Sequence, residues 1–147
     1  MKIYFDVCCL NRPFDDQTQG RIRLETEAIL MILSRVETDE WQWLSSPAVV
    51  AEIKQTPKTT RQQRLLQFLE NVDEVVTITN EVISRTKELV TFGFKPFDAF
   101  HLACAENGKA DVFLTTDDKL LRRANRMTKL IKVDVENPLT WIQERSK

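Results

Sequence analysis

Glycine is scarce. Gly20, Gly93 and Gly108 are the only three in 147 residues, and they stand far apart. No P-loop, dinucleotide-binding Gly-x-Gly-x-x-Gly turn or Gly-x-Ser-x-Gly nucleophile elbow can be assembled from them. Histidine is scarcer still: His101 stands alone, which removes paired-imidazole chemistry and His-x-x-x-His zinc sites within one subunit. A Ser-His-Asp triad would have to use His101, and no serine sits in a recognisable nucleophile turn. The three cysteines, two of them adjacent at Cys8 and Cys9, form neither a disulfide framework nor a zinc spacing, so reduced thiols are expected. The longest apolar run, Ala28–Leu33, is far too short to span a membrane. The N-terminal stretch MKIYFDVCCLNRPFDD turns charged where a signal peptide would reach its cleavage site, and a cytoplasmic protein is expected. A formal net charge of −1 argues against wholesale coating of nucleic acid, while a local basic face stays compatible with it. Carboxylates are what remain for chemistry.

With 42% hydrophobic residues over 147 positions, the chain can build one sizeable core, and residues 1–147 are expected to form a single domain. Strand signals fall at Lys2–Phe5, Trp41–Leu44, Val72–Ile78, Val112–Leu114 and Leu130–Val133. Between them, apolar residues recur at helical spacing in 18–38, in 59–69, in 81–90, in 96–106 and in 117–126. Ser46-Pro47 reads as a cap with proline in the first turn of a helix that Pro57 ends, and Pro138–Glu144 as a last short helix. Alternating strands and helices predict an α/β domain in three layers, α/β/α, around a parallel sheet. In such sheets ligands bind beyond the carboxyl ends of the strands, at the topological switch point.

Several acidic residues stand where they can face that end. Asp6 follows the first strand, Asp117 and Asp118 follow the fourth, Glu52 lies about one turn into the helix after the second, and Asp98 lies near the start of the helix opened by Pro96. Grouped carboxylates raise one another's pKa values unless a cation or protons intervene. Oxygen ligands suit Mg²⁺ or Mn²⁺. Each acid also has an ordinary reading: Asp117 as a helix N-cap, Glu52 as a surface partner of Lys54 or Lys58. Asp98 is the exception, because it interrupts the apolar stretch Pro96-Phe97-Asp98-Ala99-Phe100-His101-Leu102-Ala103, and a carboxylate there needs a reason.

Four pieces, in this order, resemble the PIN-domain nucleases, including the VapC-type toxins. They are Tyr4-Phe5-Asp6 with Val7-Cys8-Cys9-Leu10; Ser46-Pro47-Ala48-Val49-Val50-Ala51-Glu52-Ile53; Pro96 to Ala103; and Phe113-Leu114-Thr115-Thr116-Asp117. The resemblance implies five parallel strands in the order 3-2-1-4-5, frequent homodimerisation, and a metal-dependent endoribonuclease. Asp6, Glu52, Asp98 and Asp117 would then be both its catalytic residues and its ligands for Mg²⁺ or Mn²⁺. It implies hydrolysis of RNA to a 5′-phosphate and a 3′-hydroxyl, in the setting of a toxin restrained by an antitoxin protein. Cys8 stands where many members carry a small polar Asn or Ser, and Asn11-Arg12-Pro13-Phe14-Asp15-Asp16 looks like a subfamily signature. The Thr-x-Asp phase favours Asp117 over Asp118.

Lys119, Arg122, Arg123, Arg126 and Lys129 recur at helical spacing beside these acids. They fit a solvated face or a track for RNA phosphates, in which Lys119, Arg122, Arg126 and also Arg12 would bind RNA; Arg12 fits loop anchoring equally. His101 shares the face of Asp98 and fits a packing or supporting role, or proton transfer. Cys8 and Cys9 read as buried small hydrophobes, Trp41 and Trp43 as core or subunit contact on one strand face, and Phe92, Phe94 and Phe97 as core ahead of a dimer contact or a base-stacking surface. Two other functions suit the same outline: a non-catalytic RNA- or protein-binding module of PIN fold, and a phosphoacceptor domain using Asp6. The second lacks an Asp-x-Asp at the first strand and a matching acid–lysine set.

Overall fold

The computed structural model describes residues 1–57 and 59–145, so Lys58, one candidate partner of Glu52, lies outside the described residues. Its strands are β1 (Lys2–Phe5), β2 (Gln42–Ser45), β3 (Glu74–Val75), β4 (Val112–Leu114) and β5 (Asp134–Glu136). They form one sheet in the order β3-β2-β1-β4-β5, every pairing parallel. The helices are α1 (Val7–Asn11), α2 (Gly20–Glu37), α3 (Pro47–Ile53), α4 (Thr60–Phe68), α5 (Asn80–Thr91), α6 (Pro96–Asn107), α7 (Asp118–Arg126) and α8 (Pro138–Arg145). A 3-10 turn at Arg12–Phe14 continues α1. The three-layer α/β/α arrangement is as the sequence predicts.

Ile3, Tyr4 and Phe5 are all buried although consecutive strand residues point to opposite faces, because a parallel sheet is covered on both sides. On one face Phe5 meets Trp43 edge-on at 5.5 Å between ring centroids. On the other Tyr4 stacks on Phe113 at 5.3 Å. Trp41 does not share the strand with Trp43: it precedes β2 and packs on Trp141 of α8 at 4.9 Å. Both tryptophans are buried. Phe94 is buried, whereas Phe92 and Phe97 are half-buried. At the end of α6 a Cβ on Gly108 would lie 2.5 Å from Leu44 Cδ2, so glycine lets this helix close onto β2.

Two strands depart from expectation for stated reasons. The apolar run Leu130–Val133 does not enter the sheet. Its backbone is taken by side chains instead: Arg85 donates to the Leu130 carbonyl at 2.6 Å and the Lys132 N–H donates to Glu106 at 2.8 Å. Pairing with β4 starts only at Asp134. Of 72–78, only Glu74–Val75 forms strand, pairing with Leu44 and Ser45; just before it the Asp73 carboxylate, rather than backbone, accepts the Trp43 N–H at 2.8 Å. The five-residue α1 is too short to show a period in the sequence.

Candidate metal centre

The chain runs outward from β1 through β2 to β3, then returns to place β4 on the other side of β1. The switch point therefore lies between β1 and β4, and both strands end in acidic segments. Asp6 is buried, its N–H still in the ladder on the Leu114 carbonyl at 2.9 Å. The Thr115 hydroxyl donates to Asp6 Oδ2 at 2.8 Å and accepts the Asp117 N–H at 3.1 Å. One hydroxyl thus fastens the two acidic segments to each other. The Cys8 thiol stands 3.3 Å from the same hydroxyl and accepts the Thr116 N–H at 3.3 Å. Burial pushes the Asp6 carboxyl above its ordinary range, and His101 and the Thr115 bond pull it back in part.

Glu52 is carried by α3, which Ser46 caps by accepting the Ala48 N–H at 3.2 Å. Its Oε1 lies 3.1 Å from His101 Nε2, and His101 Nδ1 lies 2.8 Å from the Tyr4 hydroxyl, itself 2.6 Å from Ser46 Oγ. A hydrogen on Nε2 serves the Glu52 carboxylate, and the Tyr4 hydroxyl links Nδ1 to Ser46. His101 is fully buried with both ring nitrogens engaged, so it orients Glu52. Ligand atoms of Asp6, Glu52 and His101 lie within 4.8 Å of one another, Asp6 and His101 buried and Glu52 half-buried, a group suited to holding a metal ion.

Asp98 sits in the first turn of α6, half-buried. Its pKa is pushed up to about 6, first by burial and then by the charges of Asp6 and Asp117, with a smaller push from Glu52. Asp6, Asp117 and Glu52 therefore each lie within electrostatic reach of Asp98. Asp117 is the N-cap of α7, Oδ1 accepting the N–H groups of Lys119 at 2.9 Å and Leu120 at 3.3 Å, so the cap reading and a place beside Asp98 hold together. Asp118 is turned away, gripped by Arg21 through two 2.8 Å bonds. Among the described residues no lysine or arginine forms an ion pair with Asp6, Glu52, Asp98 or Asp117. Crowded, uncompensated oxygen donors are the set that a hard divalent cation satisfies. Among the described residues the ligand atoms that converge within 4.8 Å are those of Asp6, Glu52 and His101, a group able to hold a divalent cation, with Asp98 and Asp117 outside it.

Arg12 is a loop anchor here. Its Nε donates to Glu25 at 2.9 Å and Nη1 to Asp15 at 3.1 Å. Glu25 is buried and also accepts from Arg21 at 3.2 Å and Asn137 at 2.6 Å. Arg21 reaches the Thr116 carbonyl at 3.1 Å, so this network braces the acidic segment after β4 from behind. Lys119, Arg122 and Arg126, by contrast, line a cleft of about 240 Å³ that opens onto Asp98 and Asp117; Lys129 is exposed outside it. Sequence reading placed Ser46 as the cap of α3 but missed its bond to Tyr4, and missed Tyr4, Thr115 and Glu25. The only signals for them were polar groups at strand ends and an acid on an otherwise apolar face of α2.

The PIN domain matches residues 3–126 of the chain. A chain of VapBC-1 from nontypeable Haemophilus influenzae is similar in fold, with a TM-score of 0.60 at 13% identity over 94% of this chain and 98% of that one. VapBC2 from Rickettsia felis, solved bound to a DNA fragment from their promoter, gives 0.58 at 13% identity over 93% and 98%. PAE2754 from Pyrobaculum aerophilum gives 0.50 at 13% identity over 100% and 91%. No curated protein matches the chain. At such identities the likeness is one of fold. The matched family covers β1 to the end of α7, with Asp6, Glu52, Asp98 and Asp117 inside it, and the chain belongs to the PIN domain family.

Proposed function

We propose that this protein is an endoribonuclease that hydrolyses RNA phosphodiester bonds with Mg²⁺ or Mn²⁺ held by Asp6, Glu52, Asp98 and Asp117. The observation that carries the reading is a carboxylate cluster at the sheet's switch point, without lysine or arginine partners, beside a cleft of cations. A divalent ion bound there supplies Lewis acidity toward the phosphodiester and stabilises charge on the leaving oxygen. The chain's own groups do the rest. Tyr4 and Ser46 hold His101, His101 holds Glu52, and Thr115 holds Asp6 against Asp117, so the donors are fixed before substrate arrives. Lys119, Arg122 and Arg126 offset the repulsion between an acidic pocket and a polyanion. Arg12 contributes through the loop it anchors. Water attacks phosphorus in line, the P–O3′ bond breaks, and the leaving oxygen takes a proton, giving a 5′-phosphate and a 3′-hydroxyl; RNA and this polarity come from the family resemblance.

Residues 1–147 act as a single PIN domain on this reading. The VapBC names of two similar structures support a toxin whose partner is an antitoxin protein; its cytoplasmic setting rests on the sequence reading and its homodimer on the family resemblance. No helix among the described residues is long and apolar enough to cross a membrane. The test is cleavage of a defined RNA pool by wild type, Asp6→Asn and Asp98→Asn, with Mg²⁺ and in chelator. Cleavage by wild type in Mg²⁺ alone is expected. Two folded variants that cut at the wild-type rate would end the assignment, and metal-independent RNA binding without cleavage would favour the non-catalytic module.

A further inference from the structure

The five cations lining the cleft beside Asp98 and Asp117 are Lys95, Lys119, Arg122, Arg123 and Arg126. Among the described residues none of them forms an ion pair, whereas Arg12, Arg21, Arg61 and Arg85 are all paired with carboxylates. Five unpaired cations thus share one wall of the acidic centre, while others without ion pairs, among them Arg23, Arg64, Lys87 and Lys109, lie exposed elsewhere on the surface. Two of them belong to a built feature. Gly93 ends α5 with φ of 101°, its N–H on the Val90 carbonyl at 2.9 Å, a left-handed closing turn that glycine adopts without strain. A Cβ on Gly93 would lie 2.4 Å from Arg123 Nη1 and 3.3 Å from its Cζ. The guanidinium of α7 therefore rests on the bare backbone of the α5–α6 turn, two residues before Lys95. A Cβ there would meet the far end of an exposed, flexible side chain, so glycine leaves the Arg123 guanidinium room at this turn.

We propose that Lys95, Arg123 and Gly93 form a phosphate-binding subsite that holds an internal RNA phosphate flanking the one cut at the acidic centre; the subsite rests on the nuclease reading for its substrate. The guanidinium fork suits two phosphate oxygens and the lysine adds a point charge. The cleft then sets which side of the scissile bond must carry further RNA.

The test measures binding of a labelled single-stranded RNA 12-mer by anisotropy across a salt series. It uses full-length Asp6→Asn, which binds without cutting on the proposed mechanism, with cleavage by the unmutated chain read in parallel. Arg123→Ala and Lys95→Ala should each weaken binding roughly tenfold, the scale of one charged hydrogen bond, and flatten the log–log salt slope by about 0.7. Gly93→Ala should reproduce the Arg123→Ala loss with no change in net charge, while Gly20→Ala, where a Cβ meets nothing within 4 Å, should not. Melting curves verify folding, and Arg123→Ala decides alone if Gly93→Ala does not fold. An Arg123→Ala loss beside a folded, inert Gly93→Ala overturns the seat. RNA cut normally by the unmutated chain, with affinity and slope unchanged in Arg123→Ala and Lys95→Ala, overturns the subsite and leaves the nuclease standing. Weakened binding in these variants without any cleavage by the unmutated chain upholds the subsite and overturns the nuclease. Twelve-mers with 5′-hydroxyl and 5′-phosphate ends should bind equally; a loss confined to the phosphorylated one assigns the cleft to a terminal phosphate and overturns the internal one.

Discussion

Replacing Asp98 by asparagine should stabilise the metal-free protein. The carboxyl is displaced from an ordinary value of 3.8 to about 6 by burial and by Asp6 and Asp117. At about 1.36 kcal/mol per pKa unit, roughly two units correspond to ~3 kcal/mol for a fully buried group. Asp98 is only partly buried, and solvent screening reduces the effect to about 1–1.5 kcal/mol. For a domain of this size that is a rise of roughly 3–5 °C in Tm. The sign with pH follows from proton counts. Between pH 3.8 and 6 the folded state holds the Asp98 proton more tightly than the unfolded chain, so wild-type stability falls as pH rises through that window. The gap between variant and wild type should be complete above pH 6 and vanish below about pH 4, where both states of the wild type are protonated. Thermal melts of both proteins in chelator from pH 4 to 8 measure it. A variant that melts at or below wild type at pH 7.5, or a gap that ignores pH, would refute the crowding of charge at this site.

Three further outcomes follow from other contacts. Tyr4→Phe removes the hydroxyl joining Ser46 to His101; it should cost about 1–3 kcal/mol in urea unfolding and weaken Mn²⁺ binding by roughly tenfold or more, and unchanged Mn²⁺ affinity would dismiss the His101–Glu52 tether. Glu25→Ala leaves Arg12 and Asn137 without their buried acceptor and should cost about 3 kcal/mol; equilibrium unfolding within experimental error of wild type would show that the network braces nothing. Arg122→Glu with Arg126→Glu should weaken RNA binding and flatten its salt slope by roughly 0.7 per lost phosphate contact, leaving the Mn²⁺-induced rise in Tm unchanged; an unaltered slope returns this face of α7 to plain solvent.

Legibility in the sequence tracked how local each cause was. Asp6 could be placed because it directly follows an apolar strand, Asp117 because it stands three residues past the end of another, and Asp98 because it breaks an apolar helix. Pro47 and Pro96 marked two helix starts that the structure has at the same residues. What stayed hidden depends on contacts far apart in the chain. Tyr4 and His101 meet across 97 positions and Thr115 reaches Asp6 across 109, and nothing in the local pattern says which strand end faces which helix. Leu130–Val133 looked like the better strand on composition, yet Arg85 and Glu106 claim its backbone. Arg12 was ambiguous between phosphate and loop until its guanidinium was seen on Glu25 and Asp15. The mixed role of Asp117, cap and cluster member together, is a case where two readings of one residue were never exclusive.

The account depends most on a divalent ion serving the four carboxylates and the cleavage alike. Melting curves and RNA cleavage measured side by side across a Mn²⁺ titration test this directly. An ion that binds only the folded state stabilises by mass action, by about 2.7 kcal/mol at a concentration 100-fold above its Kd, and cleavage should rise with the same midpoint. Chelation should reverse both, and Asp98→Asn should show neither. Full cleavage in excess chelator, by protein free of contaminating ribonuclease, would contradict it.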